Sequence, residues 1–335
     1  DVAAILVDAS GFYRAKDDVL GRLWDQYRID SLFGTWDYVE PLLFGHAAGI
    51  VIERWWHEFV APHGGESLLH AHEWMTGPAL LHVKARLPAI ATVFTVHATV
   101  LGRALGATGA SVGDGIGART PEQAAEALGV RSKHSLERAT AREADMLTTV
   151  SELTAEEVTR VLGRRPAVLV NGIDVDAFAT LGAATTAAGA PAAGPVGPAG
   201  AERALRRLAE RFLGRDLADA ILVATAGRPE VVNKGIDVLV DALGRVDRRP
   251  GRPVVAFLFV PVGVSGVRRD LLARLTAHAR PDGALAGLAT HVLFDGEGAA
   301  FEALGAKARL DNGPARRVTV IHVAAYLDAF DGLLG

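Results

Sequence analysis

One arginine and one lysine, Arg228 and Lys234, share a short loop bracketed by glycines, in the stretch 226–235 (AGRPEVVNKG). The stretch follows an apolar run typical of a strand, 221–225, and precedes a run from Ile236 with helical spacing of its apolar residues. In an open α/β sheet such a loop lies at the carboxyl end of the strand, where the helix N-terminus favours negative charge. The residue types and their spacing therefore predict a phosphate-binding loop.

The use of lysine supports this interpretation. Among 35 basic residues, lysine occurs only at positions 16, 84, 133, 234 and 307. An ammonium is a compact point charge, unlike the planar guanidinium fork. A lysine at position 234 of such an arginine-rich chain therefore suggests a need for a compact charge. The alternative is a solvated surface pair, but the apolar run before the loop and the glycine on each side favour an anion site.

A second group of polar residues ends two strand-like segments of the first half. His70 and His72 lie two residues apart and so share one face of a strand, and His97 ends the next strand-like segment. Adjacent parallel strands end at one edge of a sheet, where ligands of such folds bind. We expect His72 and His97 to meet there.

A pair of histidines two apart also opens many metal-dependent hydrolase barrels, so a zinc site is an alternative. It would need further ligands, and the candidates His291 and His322 have no neighbouring carboxylate pattern. For His70 the ordinary interpretation, a partly buried histidine bonded to backbone, is favoured. For His72 and His97 both interpretations stay open, and we expect no metal.

Two further sites have simpler explanations. Asn171 and Gly172 follow the strand-like run 167–170 and form a turn dipeptide, with some expectation of ligand contact. Glu137 and Arg138 are expected to form a solvated pair on a helix.

The chain alternates strand-like and helical segments. Continuous apolar runs predict strands buried on both faces, and helical periodicity predicts helices at 134–144, 155–162 and about 201–213, the second with Thr154 as N-cap and Glu157 as its capping-box partner. This alternation predicts an α/β fold with parallel sheets. The predicted strands are 2–7, 67–71, 90–94, 146–150, 167–170, 221–225, 254–260, 291–294 and 318–323.

Composition sets outer limits. A length of 335 residues suggests about two domains, and a net charge of −4 without basic clusters argues against nucleic-acid binding. The chain has no cysteine, which excludes disulfides and fits a cytoplasmic location, and no apolar run reaches the ~18 residues of a membrane span. Because the chain opens at Asp1, directly before a strand-like run, we expect an internal fragment of a longer protein.

One tract divides the chain. Residues 179–200 consist of Ala, Gly, Pro, Thr, Leu and Val, without charge or periodicity, and predict a flexible loop. The expected organisation is an N-terminal Rossmann-like domain over 1–178, this loop over 179–200, and a C-terminal Rossmann-like domain over 201–335.

Five blocks in order resemble the animal and fungal type of glycogen synthase, which also occurs in bacteria. The resemblance covers almost the whole chain, which makes it more specific than any single motif. The blocks are HAHEW, FTVHATVLGR, KHSLERATAREADMLTTVSELTAEE, the 166–178 stretch with NGIDVDAF, and AGRPEVVNKGIDV.

The resemblance implies a GT-B architecture, in which two Rossmann-like domains face each other across a cleft. It also implies the reaction: a retaining glycosyltransferase that moves glucose from UDP-glucose to the non-reducing end of an α-1,4-glucan. No cofactor is implied. The residues that would select UDP-glucose over ADP-glucose are not identifiable, and the sequence leaves a homo-oligomer open. The alternative functions are the hydrolase and a non-catalytic glucan-binding protein on the same scaffold.

Site roles follow from the resemblance residue by residue. Arg228 and Lys234 would grip the donor's phosphates, and His97 would lie beside the transferred sugar. Substrate contacts are expected from the residues that match the same blocks, namely His72, Glu73, Thr99, Asn171, Gly227, Asn233 and Gly235.

The departures concern both ends. The family has a Gly-rich donor loop after its first strand and, further on, an acidic loop that positions the sugar, and neither is found in these 335 residues. We therefore expect both domains to be incomplete and this chain to be inactive when expressed alone.

Overall fold

The computed structural model describes residues 4–176 and 198–326, in two compact units, Asp1–Gly172 (unit 1) and Ile173–Gly335 (unit 2). Each unit contains a parallel sheet with helices packed on it. The predicted α/β class with parallel sheets is confirmed.

Unit 1 contains a parallel sheet whose strands lie side by side in chain order. Its register places His72 opposite Thr95, so the first two strands end at the same edge. The strands are β1 (Leu68–His72), β2 (Ala91–Val96), β3 (Met146–Thr149) and β4 (Ala167–Val168).

Helices connect and precede these strands. They are α1 (Lys16–Tyr27), α2 (Trp36–Trp55), α3 (Gly77–Arg86), α4 (Val100–Ala107), α5 (Val112–Ile116), α6 (Pro121–Ala127), α7 (Arg131–Glu143) and α8 (Glu152–Leu162), with short 3₁₀ turns at Ser10–Ala15, Ala61–His63 and Trp74–Thr76 and a π-helical turn at Trp56–Val60.

Two large apolar cores and a smaller cluster around Val83 and Ile90 hold unit 1. One lies on the sheet and is centred on Phe94, Leu101 and Leu147; the other lies among the helices around Tyr38 and Leu42. Since α7 contributes to both cores, it is held on more than one side.

Unit 2 is built in the same way. Its parallel sheet has the order β5-β6-β9, and β7 pairs antiparallel with β8. The strands are β5 (Ile221–Ala226), β6 (Val254–Phe259), β7 (Val264–Val267), β8 (His291–Leu293) and β9 (Val318–Val323), and the helices are α9 (Pro198–Leu213), α10 (Ile236–Asp247), α11 (Arg269–Thr276) and α12 (Ala299–Ala308).

Most predicted strands are confirmed within two residues of their ends, but three predictions need correction. Residues 4–7 of the predicted strand 2–7 are irregular, with Leu6 97% exposed, because an apolar run becomes a strand only where another strand takes its hydrogen bonds. The run 167–170 shortens to β4, and Val170 is exposed. The run 291–294 forms β8, outside the parallel sheet.

The expectation of strands buried on both faces holds for some strands and fails for others. In unit 2, β6 and β9 are buried almost throughout, whereas β5 at the sheet edge is partly exposed. In unit 1, β1 is likewise largely exposed.

Of the predicted loop 179–200, residues 179–197 lie outside the described residues. Residues 198–200 are helical, since α9 begins at Pro198. Proline is favoured at a helix start because its fixed φ suits the first turn and its missing N–H would be unpaired there.

The predicted capping box of α8 is wrong, and the helix begins three residues earlier than predicted. Ser151 is the N-cap, and its hydroxyl accepts from the Thr154 N–H at 3.1 Å. Glu157 makes no reciprocal bond to the cap; its carboxylate instead binds Thr99, before α4.

Across residues 4–176 and 198–326, the helices are all too short or too polar to cross a bilayer.

Candidate functional site

His72 and His97 meet at the carboxyl edge of the unit 1 sheet. The His72 Nδ1 lies 3.0 Å from the His97 Nε2, and the two rings are 5.3 Å apart between centroids. The predicted meeting of these histidines is confirmed, while their roles toward a substrate stay predictions.

His70 extends this group. Its ring lies 4.1 Å from that of His72, and its Nε2 lies 2.7 Å from the Thr95 hydroxyl. The expectation of a partly buried histidine bonded to backbone is wrong for His70, because the residue is exposed and its partner is a side chain.

The protonation of this group follows from its surroundings. Burial lowers the pKa of His72, and the neighbouring His70 and His97 lower it further, against the opposing charge of Glu73. A neutral ring fits the bond to His97, because one nitrogen must donate and the other accept. The pair can therefore offer both a donor and an acceptor to sugar hydroxyls.

Glu73 is bound from two sides. Its Oε1 accepts from the His97 N–H at 3.1 Å and from Arg103 at 3.0 Å. Its backbone adopts φ 64° and ψ 162°, a region that residues other than glycine rarely enter. Surrounding contacts must hold such strain, so the turn between β1 and the following 3₁₀ turn is fixed in shape.

Two further carboxylates bind the backbone where the chain passes from β2 into α4. The Glu157 Oε1 accepts from both the N–H and the hydroxyl of Thr99, each at 2.7 Å, and Glu137 accepts from the Val100 N–H at 3.1 Å. Together with Glu73, they fix the segment that carries His97. Carboxylates are favoured here because the N-terminus of α4 bears positive partial charge.

Thr99 caps α4 with its own hydroxyl, which accepts from the Gly102 N–H at 2.8 Å. The residue is fully buried. Its observed contacts are thus structural, and its contact with a substrate stays a prediction.

Glu137 and Arg138 do not form the expected solvated pair. Glu137 is fully buried, and burial raises its pKa well above the usual range, opposed by the Val100 hydrogen bond and reinforced by Glu73 and Glu157. Arg138 pairs instead with Glu122.

The sequence contained a signal for this burial. At helical spacing Glu137 shares a face with Thr140, Ala141 and Ala144, and all three are buried. A carboxylate on such a face must find donors inside the protein, since a buried charge without partners is costly.

In unit 2, the predicted phosphate loop leads from β5 to α10. The Gly227 N–H donates to the Phe259 carbonyl at 3.1 Å, and the Lys234 side-chain carbons pack over Gly227, 3.6 Å from the position a Cβ would take there. This contact folds the Lys234 side chain over Gly227, the residue before Arg228 in the chain. The two predicted cations therefore lie in one loop at the carboxyl end of a strand.

Glu230 contacts two polar side chains of this loop. It pairs with Arg228 at 3.0 Å, and its second oxygen accepts from Asn233 at 3.4 Å. Arg228 is 58% exposed, and exposed ion pairs contribute only about 0–1 kcal/mol, so an entering anion can replace Glu230 at small cost.

Gly235 is the residue before α10 and has φ 63°. This left-handed conformation costs glycine nothing, whereas a side chain there would be strained by roughly 1 kcal/mol. The Gly thus sets the angle at which the loop enters the helix.

A cavity of about 450 Å³ opens at the carboxyl ends of β5, β6 and β9. Arg228 and Gly227 form one wall, and Phe259 and Tyr326 add aromatic surface. Its volume lies in the range of small-molecule sites. It joins a cation to flat apolar surface, which suits a ligand that has both a phosphate and a ring.

A larger cavity of about 780 Å³ lies in unit 1, between α1 and the start of α2. It is lined mainly by apolar side chains such as Trp24 and Trp36, and its charged residues Lys16 and Asp17 pair with each other. Size alone does not mark the reactive site, because the acid–base and cationic groups lie elsewhere.

Asn171 is exposed and follows β4, next to the end of unit 1 at Gly172. The histidines weighed as metal ligands, His291 and His322, are buried in unit 2, where His291 contacts Thr290 and His322 bonds the Val260 carbonyl at 2.8 Å. In the described parts of the chain, no three His, Cys, Asp or Glu residues are grouped so that they could hold a metal ion.

Sequence comparison identifies one family. A family model described as glycogen synthase matches residues 2–281. Glycogen [starch] synthase of Neurospora crassa is 28% identical over 278 residues, which are 80% of this chain and 38% of that protein. The Caenorhabditis elegans protein of the same name is 34% identical over 252 residues, 71% of this chain and 36% of that protein. The chain thus spans well under half the length of these relatives.

Among solved structures, an OtsA apo structure has a TM-score of 0.48 at 11% identity and covers 96% of this chain and 60% of that one. The catalytic domain of starch synthase IV from Arabidopsis thaliana, bound to ADP and acarbose, has a TM-score of 0.44 at 13% identity, covering 90% and 55%. The fold assignment relies on the sheet topology.

Proposed function

The chain belongs to the glycogen synthase family, and from this premise we propose that it takes part in glucosyl transfer from a nucleotide diphosphate glucose, with UDP-glucose preferred, to the non-reducing end of an α-1,4-glucan, with retention of configuration. The observation that carries the proposal is the cavity at the carboxyl ends of β5, β6 and β9, with Arg228 on its wall and Lys234 packed across Gly227.

The chemistry explains the need for two cations. As the bond between glucose and the diphosphate breaks, the sugar becomes oxocarbenium-like and negative charge grows on the leaving phosphate. Fixed positive groups aimed at that charge stabilise the transition state more than the ground state. Arg228 would offer two parallel N–H donors and Lys234 a compact positive charge. Together they would stabilise the leaving phosphate as its negative charge increases.

The unit 1 site supplies the other half of the proposal. His97 would lie beside the transferred sugar, with its ring oriented by the 3.0 Å contact to His72 and its backbone held by Glu73. His72, whose pKa is lowered by burial, would contribute hydrogen bonds to hydroxyls without adding a positive charge that would oppose the developing oxocarbenium. His72 and Glu73 would act on the sugar or acceptor side.

Calorimetric titration of the chain with UDP-glucose and ADP-glucose tests the donor. We expect both to bind, UDP-glucose more tightly. Arg228→Ala and Lys234→Ala should each weaken binding by about ten-fold or more, since a charge-assisted hydrogen bond is worth about 1.5–3 kcal/mol.

Arg245→Ala is the matched control. Arg245 lies on α10 and forms an exposed pair with Asp241, so its removal changes the net charge equally without touching the cavity. Equal affinity in all three variants would refute the phosphate role. Glucan binding without any nucleotide binding would favour a non-catalytic function instead.

A further inference from the structure

A second cationic cavity lies in unit 1, away from the histidine group. Its volume is about 400 Å³, and it is walled by α7 on one side and by the end of α1 on the other. Four guanidinium groups line it, against two carboxylates, which leaves two positive charges in excess. The arginines are Arg28, Arg131, Arg138 and Arg142, and the carboxylates are Asp30 and Glu122.

Helical spacing builds this wall. Arg131, His134, Arg138 and Arg142 follow one another at intervals of three and four residues, so they project from one face of α7. Glu137 is on a different face and binds the turn before α4. The two faces of the helix therefore serve two separate sites.

His134 is the anomaly of the cavity. The residue is only 1% exposed and lines the cavity, yet neither of its ring nitrogens has a hydrogen-bond partner. Buried polar groups in native proteins are nearly always paired, so an unpaired imidazole at a cavity wall requires an explanation, and a ligand in the cavity would supply one. Burial lowers its pKa to about 4, with Glu122 opposing and Arg138 adding to the fall, so the ring is neutral and able to donate one hydrogen bond.

The arginines differ in how firmly they are held. Arg131 pairs at 2.8 Å with Asp30, whose carboxylate is nearly buried. Arg138 and Arg142 pair with Glu122 and Glu143, and both arginines are more than half exposed. Exposed pairs of this kind contribute little, so an anion can take these two guanidinium groups over.

Arg28 completes the set from the opposite wall. Its guanidinium lies 5.5 Å from the ring centroid of Trp24, and its described contacts include no carboxylate. Trp24 and Tyr27 also line the cavity and present flat surface beside the charges.

We propose that this cavity binds a small phosphate monoester, whose oxygens are held by Arg28, Arg138 and Arg142 and by a hydrogen bond from His134. Three guanidinium forks suit a tetrahedral dianion, whereas a carboxylate needs only one. The organic part of the ligand lies against Trp24 and Tyr27. The cavity volume accommodates one such molecule. The proposal is independent of the nucleotide-sugar function, because all its residues lie in unit 1.

The test uses the 335-residue chain with Arg228→Ala and Lys234→Ala as the background, so that phosphate cannot be held by the unit 2 loop. Calorimetry with inorganic phosphate, methyl phosphate and phenyl phosphate is expected to show one site. Phenyl phosphate should bind more tightly than methyl phosphate, and equal affinities would overturn the assignment of the aromatic wall.

Variants locate the site. Arg138→Ala and Arg142→Ala should each weaken methyl phosphate binding by about ten-fold. Arg165→Ala is the matched control, because Arg165 is as exposed as Arg142 and forms an ordinary surface pair with Glu152. His134→Phe keeps a ring in the cavity wall but no donor, and should also weaken binding.

Two results would overturn the proposal. One is the absence of heat with all three compounds at millimolar concentration, which would leave water as the occupant of the cavity. The other is equal affinity in Arg138→Ala, Arg142→Ala and the Arg165→Ala control, which would place the anion elsewhere.

Discussion

At the scale of single residues, the burial of His134 makes unit 1 sensitive to acid. Its pKa in the folded protein is about 4, below the 6.5 of an unfolded histidine, so between these values the unfolded chain binds more protons. The free energy of unfolding must therefore fall as the pH falls from 6.5 to 4. For this shift the loss is roughly 3 kcal/mol.

We predict that His134→Phe removes this part of the acid dependence. At pH 7 the variant should be at least as stable as the unmodified chain, because it no longer buries unpaired nitrogens. At pH 4 it should be more stable by roughly 3 kcal/mol. Denaturant unfolding at both pH values, in buffers without phosphate, gives the comparison.

Tryptophan fluorescence reports this transition. The chain has five tryptophans, Trp24, Trp36, Trp55, Trp56 and Trp74, and all lie in unit 1. His46, whose pKa burial also lowers to about 4, stays in both proteins, so the difference between them isolates His134. The prediction would be contradicted if the difference in unfolding free energy between His134→Phe and the unmodified chain were the same at pH 7 and at pH 4.

At the scale of elements, the N-terminus of α4 is held by contacts with residues that are distant in the sequence. The Glu157 carboxylate fills the space beside Gly102 and binds Thr99, so a Cβ on Gly102 would overlap with it. Because that carboxylate already holds two donors, it cannot move away without breaking them. The glycine is required by this close approach.

We predict that Gly102→Ala destabilises unit 1 by about 1–3 kcal/mol, since it displaces a buried hydrogen-bonding group. The sign of the change in unfolding free energy is the informative result, because alanine in place of a helical glycine ordinarily stabilises by about 0.5–1 kcal/mol. The measurement is denaturant unfolding followed by tryptophan fluorescence.

Gly21→Ala is the matched control. Gly21 lies inside α1, and a Cβ there would meet no atom within 4 Å. This variant should gain about 0.5–1 kcal/mol. A gain in both variants would show that Glu157 moves freely and does not fix the His97 turn.

The same element shows what the sequence can and cannot predict. Strand positions follow from local apolar runs, and with them the meeting of His72 and His97, because parallel strands must end at one edge. The partner of Glu157 does not follow, since its spacing from Thr154 fits a local cap while its observed bond reaches Thr99, 58 residues away.

His134 marks the same limit. Its position on the α7 face is readable from periodicity, but its lack of partners depends on which side chains of α1 lie opposite. The irregular residues 4–7 show it again, because strand formation depends on a neighbour that an apolar run cannot specify. The local pattern of apolar residues predicts where helices and strands form. The arrangement of the site depends on contacts between elements that are distant in the sequence.

At the scale of the whole molecule, each unit has a core of its own. Phe257 and Ile321 anchor one side of the unit 2 sheet, and Val240 and Leu258 anchor the other. Among the residues that the structure describes, those lining the cavity at the ends of β5, β6 and β9 lie between 226 and 326, within unit 2. A unit that contains both its core and its cavity should keep its binding when separated.

We predict that the piece 173–335 binds UDP, which lacks the sugar proposed to lie beside His97, with a dissociation constant within about three-fold of that of the 335-residue chain, a change of ~0.6 kcal/mol. The piece 1–172 should lack this binding and keep that of methyl phosphate, through the α7 cavity. Calorimetry of both pieces, with circular dichroism to show that each is folded, provides the measurement.

Arg228→Ala in the piece 173–335 is the control, and it should weaken UDP binding as it does in the longer chain. A folded 173–335 piece that does not bind UDP would mean that unit 1 residues hold part of the nucleotide as well as the sugar. Binding of UDP by 1–172 instead would refute the assignment of the phosphate loop. The two cavities thus predict opposite ligand preferences for the two pieces, because the aromatic and cationic groups of each cavity belong to one unit alone.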